Sequence, residues 1–161
     1  HRRAEALNRD RIAAIDACIA AAPSGRPTVE DVITAFVGPV RRRAESGDSG
    51  WRYYLALVAQ VNNSREWGAK LMGRSFDAAV RRLIDGLRLA MPDATEEDLF
   101  WSYHFFSGAL VLGFAETGRL DSLSHGLCRS QDHGALYDRL PAFIAGGFRR
   151  LCLGQRQDRP D

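Results

Sequence analysis

The sequence predicts an all-α protein of about six helices, and three observations carry that prediction. Apolar residues recur at three- and four-residue spacing in successive stretches along the chain. No sustained run of alternating apolar and polar residues flanked by hairpin turn signals interrupts them. The stretches are punctuated by helix start and stop chemistry: Thr28 and Thr95 each carry an aspartate three residues on, and Pro23-Ser24-Gly25 and Pro92 close what precedes them.

The first helix spans residues 1–22, with Ala4, Leu7, Arg11, Ile12, Ile15, Cys18 and Ile19 on one face. It has no N-terminal capping signal, so it is expected to begin upstream of His1. The second follows Thr28 and Asp31, with Val29, Val32, Ile33, Phe36, Val37 and Val40 as its stripe; Pro39 removes a backbone donor and predicts a kink near Phe36. After the loop 45–50, Trp51, Tyr54, Leu55, Leu57, Val58 and Val61 mark a short helix ending at Asn62-Asn63-Ser64. A long amphipathic helix begins at Trp67 or Ala69 and carries Leu71, Met72, Phe76, Ala79, Val80, Leu83, Ile84, Leu87 and Met91 up to Pro92. The fifth opens at Thr95, with Glu96, Glu97 and Asp98 complementing its dipole. Its interior, Leu99 to Phe114, is apolar around nearly the whole circumference, which predicts burial on opposite sides and a covering surface from a second subunit. Residues 117–131 read as loop. The last helix runs from about Asp132 to Leu153 with Leu136, Leu140, Phe143, Ile144, Gly147, Phe148 and Leu151 as its stripe. Pro141 in its middle argues against one straight helix, while Gly146-Gly147 admits a close partner backbone. Residues 1–154 are thus expected to form one domain and 155–161 a polar tail.

Composition excludes several function classes. A chain of 161 residues supports one domain with a core, and 45% hydrophobic with 26% charged residues is that of a globular protein. The stretch Leu99 to Ala115 is broken by Ser102, His104 and Ser107 and falls short of the ~20 apolar residues of a membrane span. A formal net charge of +2 is too small to argue for direct nucleic-acid binding. Three widely spaced cysteines, Cys18, Cys128 and Cys152, form neither a disulfide framework nor a zinc motif. The cytoplasm is the expected compartment, with no membrane partner.

Chemistry-bearing motifs are scarce. GxSxG, HExxH, P-loop and GxGxxG patterns are all missing, so no catalysis, metal or cofactor is expected. Glu96-Glu97-Asp98 is explained by the first turn of a helix, and Arg41-Arg42-Arg43 by a solvated helix face. His125 and His133, flanking the loop, are expected to be solvated. His104, centred in an apolar helix, reads either as a hydrogen-bonding or pH-sensitive ligand contact or as a histidine satisfied in the core or at a subunit contact. Phe36, Trp51, Tyr54, Val58, Phe76, Tyr103 and Phe106 fit an apolar ligand cavity with a few polar tips, and fit a plain core equally well.

The order of these elements resembles the C-terminal half of TetR-type transcriptional repressors. Arg2-Arg3-Ala4-Glu5-Ala6-Leu7-Asn8-Arg9-Asp10-Arg11 resembles that family's linking helix, downstream of its helix-turn-helix. Pro27-Thr28-Val29-Glu30-Asp31-Val32-Ile33-Thr34-Ala35-Phe36-Val37-Gly38-Pro39 is similar to its next helix, and Phe76-Asp77-Ala78-Ala79-Val80-Arg81-Arg82-Leu83 to its long helix. Residues 97–110, from Glu97 and Asp98 through Trp101, Tyr103 and Phe106 to Leu110, are similar to its dimerisation helix. The resemblance implies an antiparallel bundle, a homodimer formed by the last two main helices, and a small hydrophobic or aromatic effector whose binding releases operator DNA. DNA would be contacted only through an N-terminal domain outside this sequence. On this reading Phe36, Trp51, Tyr54, Val58, Phe76, Tyr103, His104 and Phe106 are expected at the effector cavity. Trp101, Phe105, Leu112, Leu140, Phe143, Ile144, Gly147 and Phe148 are expected at the dimer seam. The alternative is a helical interaction or assembly module without an effector; a thiol-based metal or redox sensor is disfavoured by the cysteine spacing.

Overall fold

In the computed structural model, which describes residues 2–62, 64 and 68–154 and no side chains over 68–75, the chain forms seven α-helices among the described residues. They are α1 (Arg2–Ala21), α2 (Val29–Ala44), α3 (Ser49–Asn62), α4 (Gly68–Ala90), α5 (Glu96–Phe114), α6 (Arg119–Leu123) and α7 (His133–Gly154), with a 3-10 turn at Pro23–Gly25. No strand occurs among the described residues, and no described helix is long and apolar enough to cross a membrane. His1, Asn63, Trp67 and the tail over 155–161 lie outside what is described, as do the side chains of Leu71 and Met72 in α4.

The predicted caps are formed. Thr28 Oγ1 accepts from the Asp31 N–H at 3.1 Å while the Thr28 N–H donates back to Asp31 Oδ2 at 3.3 Å, a reciprocal box that satisfies two orphan donors at the start of α2. Thr95 Oγ1 likewise accepts from the Asp98 N–H at 3.1 Å at the start of α5. Both prolines sit inside continuous helices, Pro39 in α2 and Pro141 in α7, so α7 is one helix rather than two. The stretch expected to be loop contains α6, entered from Gly118 in the left-handed conformation (φ 69°). Beyond it, Asp121 Oδ2 accepts from the Ser130 N–H at 2.8 Å and Ser124 Oγ from the Cys128 N–H at 2.9 Å, which closes the loop on itself. Five helical residues are too few to establish a 3.6-residue period, which is why periodicity does not reveal this element.

α2 packs against α1, α3, α4 and α7, and α4 packs against α1, α2, α3 and α5. The core joins Leu7 and Ile15 of α1, Val32, Ile33 and Val40 of α2, Leu83, Ile84 and Leu87 of α4, Leu99 and Phe106 of α5, and Phe148 of α7. α4 approaches α1 and α2 closely at Gly86, where a Cβ would meet Val32 Cγ1 at 3.1 Å and Ile15 Cγ2 at 3.4 Å. Around the core, arginines tie helix to helix. Arg43 pairs with Asp10 at 2.6 Å (α2 to α1), Arg82 with Asp16 at 2.6 Å (α4 to α1), Arg41 with Asp138 at 2.8 Å, and Arg149 with Glu30 (both α2 to α7). Partly exposed pairs of this kind are worth ~0–1 kcal/mol each, so burial rather than charge carries the stability.

Two substitutions separate these contributions. Thr28→Ala should cost about 1 kcal/mol, read as a fall of roughly 2–4 °C in Tm by circular dichroism. Leu83→Ala, in the fully buried α4 stripe, should cost about 2–5 kcal/mol in urea denaturation. An unchanged midpoint in either case would show that the cap or the α4 packing is not formed in solution.

Candidate functional site

A cavity of about 60 Å³ lies where α1, α2, α3, α4 and α5 meet. Its wall is mostly apolar, and its polar groups are Arg11, Tyr54, Asn62, Tyr103 and Ser107. A single water needs about 10–15 Å³ on this measure, so the space holds roughly four to six waters or a compact ligand. Six of the residues expected at the cavity, Phe36, Tyr54, Val58, Phe76, Tyr103 and Phe106, are brought together in its wall.

Trp51 and His104 are not. Trp51 is buried one turn from the cavity, edge-on to Tyr54 with ring centroids 5.7 Å apart, between the guanidinium carbons of Arg3 at 4.8 Å and Arg43 at 4.9 Å. It clamps the start of α3 onto α1 and α2 through cation–π contacts. His104 is exposed on the outer side of α5, with its ring 5.9 Å from Trp101 and 6.2 Å from Phe105. One residue advances a helix by about 100°, so with Tyr103 and Phe106 turned inward His104 must face out. His133 also departs from expectation: it is largely buried, with Nε2 2.8 Å from Glu116 Oε1.

Arg11 is the wall residue whose role periodicity does not reveal. It occupies the apolar stripe between Leu7 and Ile15 and is only 5% exposed. Its Nε donates to the Phe36 carbonyl at 3.2 Å, its Nη1 to Asn8 Oδ1 at 3.4 Å, and its guanidinium carbon stands 4.0 Å from the centre of the Phe36 ring. Burial pulls its pKa down to about 10, against which the nearby phenols of Tyr103, Tyr54 and Tyr137 act weakly. The charge therefore persists at neutral pH at a cost of a few kcal/mol. The available signal was a charged residue in register with an apolar stripe.

The remaining chemistry of the site is that of binding. Desolvation raises the pKa values of Tyr54 and Tyr103, and a hydrogen bond links the Tyr103 and Ser107 side chains, so both phenols are neutral at physiological pH. Burial also pushes the thiols of Cys18 and Cys152 up, away from nucleophilic thiolate character. Among the described residues no group of three or more His, Cys, Asp and Glu is placed to hold a metal ion.

On the outer side of α5 and α7 the structure leaves a second feature, an open groove of about 690 Å³. Phe105, Phe143 and Gly147 line it, and Ser102, Ile144 and Phe148 lie beneath. Of the residues expected at the seam, Trp101, Phe105, Leu112, Phe143 and Gly147 are exposed, Leu112 by 67% and Phe143 by 75%. Leu140, Ile144 and Phe148 are instead buried within the chain, because α7 turns that side of its stripe onto α2 and α5. Phe106, 1% exposed, borders both the cavity and the groove.

Comparison with known families places this architecture. The family model described as "Tetracyclin repressor-like, C-terminal domain" matches residues 34–147, well over half of the chain. A search of curated proteins finds no match. The family match runs from α2 into α7, through most of the cavity wall and both helices that border the groove, while α1 and Arg11 lie ahead of it. The chain therefore belongs to the tetracycline-repressor family of transcriptional regulators, as a C-terminal domain of the repressor-like type.

Proposed function

We propose that this domain dimerises through α5 and α7 and binds a small, largely apolar effector in the cavity, and that the regulator is a cytoplasmic repressor which the effector releases from operator DNA. The observation that carries the reading is the pairing of a cavity among five helices with an uncovered apolar face on two sides of one helix, α5. Operator contact belongs to the family's helix-turn-helix domain rather than to residues of this chain. Binding rather than catalysis is the role the cavity supports, since its described residues offer phenols, an amide, a hydroxyl and a guanidinium and no nucleophile beside a base.

The dimer face is supported by its chemistry. Trp101, Phe105, Leu112 and Phe143 present large apolar side chains to solvent, and exposed apolar patches of this kind mark interaction sites. A Cβ added at Gly146 or Gly147 would meet no atom within 4 Å, so the backbone of α7 is open to close approach. A second copy covers this face most economically, because a twofold contact buries the same patch twice.

Effector binding is supported by the convergence of five helices on the cavity, α1 among them through Leu7 and Arg11. A ligand that favours one placement of α1 over another would shift the spacing of the two DNA-reading headpieces, and half-site spacing is a strict geometric requirement. The size of the cavity favours the alternative of an assembly module without effector, since ligand pockets commonly measure ~300–1,000 Å³. A compact effector reconciles the two.

Light scattering of the chain across a dilution series should give twice the chain mass, and Phe143→Asp should give a monomer with unchanged helical content. Phe143 is the suitable position because truncating Phe148 would also open the core. A wild-type monomer, or a Phe143→Asp dimer of undiminished affinity, would refute the α5/α7 face. A cavity ligand at ~100 times its Kd should stabilise the fold by ~2.7 kcal/mol in thermal denaturation.

A further inference from the structure

We infer that the cavity takes a compact organic carboxylate, a monoanion with a small apolar body, whose carboxylate pairs with the guanidinium of Arg11. The inference rests on the cavity being the effector site and names the chemistry of what enters it.

Among the described residues the lining contains one formal charge, that of Arg11, and no aspartate or glutamate. Arg11 makes no ion pair among the described residues. Both acceptors it does have, the Phe36 carbonyl at 3.2 Å and Asn8 Oδ1 at 3.4 Å, are neutral. The arginines that tie helix to helix elsewhere, Arg41, Arg43, Arg82 and Arg149, each reach a carboxylate near the surface, whereas the buried Arg11 reaches none. Arginine is almost never fully buried unless paired, and a guanidinium offers five N–H donors in a planar fork matched to a carboxylate. The Phe36 ring covers a face of that plane at 4.0 Å, which leaves recognition to the edge.

The rest of the wall specifies the body of the ligand. Val58, Phe76, Leu110 and Val111 supply apolar surface, while the hydroxyls of Tyr54 and Tyr103 stand within electrostatic reach of Arg11 and can donate to a carboxylate oxygen. One guanidinium balances one negative charge. A phosphate monoester, near two negative charges at neutral pH, would need a second cation, and the described residues of the lining hold none. Room for roughly four to six waters suits a small aromatic or short aliphatic acid rather than a long acyl chain. The carboxylate would draw on α1 directly, since Arg11 is an α1 residue, and thereby on the helix that the proposed function makes the lever.

The test is calorimetric titration of the intact chain with matched acids and neutral analogues: benzoate against nitrobenzene and benzamide, and hexanoate against 1-hexanol. Acids should bind about tenfold or more tightly than their neutral partners. Arg11→Met should remove that preference while leaving the neutral analogues bound, and Arg11→Lys should retain part of it. Neutral analogues binding the wild type as tightly as the acids would overturn the carboxylate inference and leave the effector cavity standing. If neither acids nor neutral compounds bind, the effector reading itself falls with it. Should Arg11→Met fail to fold, the comparison of acid with neutral partner in the wild-type chain decides alone.

Discussion

The hold of α2 on its surroundings is the constraint from which the rest of the structure follows. This helix is wrapped by α1, α3, α4 and α7, and its start is set locally by the reciprocal Thr28–Asp31 box. Once α2 begins at Val29, the 3.6-residue period turns Val32, Ile33, Phe36, Val37 and Val40 into the core. Phe36 then stands where α1 and α5 can both reach it. Its carbonyl and ring hold Arg11, and its ring meets that of Phe106 edge-on with centroids 5.8 Å apart and planes at 64°. A shift in α2 would therefore change the cavity, the arginine and the wall of the outer groove together.

α5 divides two environments. Leu99, Ser102, Phe106, Leu110 and Phe114 are buried, whereas Phe100, Trp101, Phe105 and Leu112 are exposed. An isolated domain gains nothing from so many apolar side chains in water, and the proposed dimer would cover them. Phe106 belongs to the wall of both spaces, so the path from α1 to the groove passes through three contacts: Arg11 to Phe36, Phe36 to Phe106, and Phe106 to the groove it borders. Packed interiors are dense and adjust in discrete steps rather than continuously. A ligand in the cavity and a partner on the groove, were both present, would press on the same side chain.

The distribution of charge separates ion-paired surface arginines from the buried Arg11. Arg41, Arg43, Arg82 and Arg149 sit at the surface, each with a carboxylate from another helix. In water such pairs are weakly stabilising and readily exchanged for solvent. Arg11 faces the opposite balance, since desolvation is large and the neutral carbonyl, amide and aromatic face return only part of the hydration lost. The anion proposed for the cavity would offset that cost, which an apolar side chain at this place between Leu7 and Ile15 would not incur.

By itself the sequence determined the longer helices and the ends that carry local signals, though not the short α6 or the continuity of α7 through Pro141, because capping and termination are local: Thr28 with Asp31, Thr95 with Asp98, and Pro23 and Pro92 act within a turn or two of where they stand. It also determined the inward stripes, since the angular position of a residue around a helix depends only on its number. Those stripes placed Phe36, Tyr54, Val58, Phe76, Tyr103 and Phe106 on converging faces, and the cavity wall is built from them. Only the tertiary structure decided what covers each face. Phe143 and Phe148 are both apolar positions of α7, yet one is open to solvent and the other is core, because α2 and α5 cover part of that helix and not the rest. Trp51 turned from the expected cavity to two arginines and His104 to the outer face, and Arg11, in register with the α1 stripe, was brought to the cavity wall. Each of these depends on which helix lies alongside, a long-range fact that a one-dimensional period does not contain.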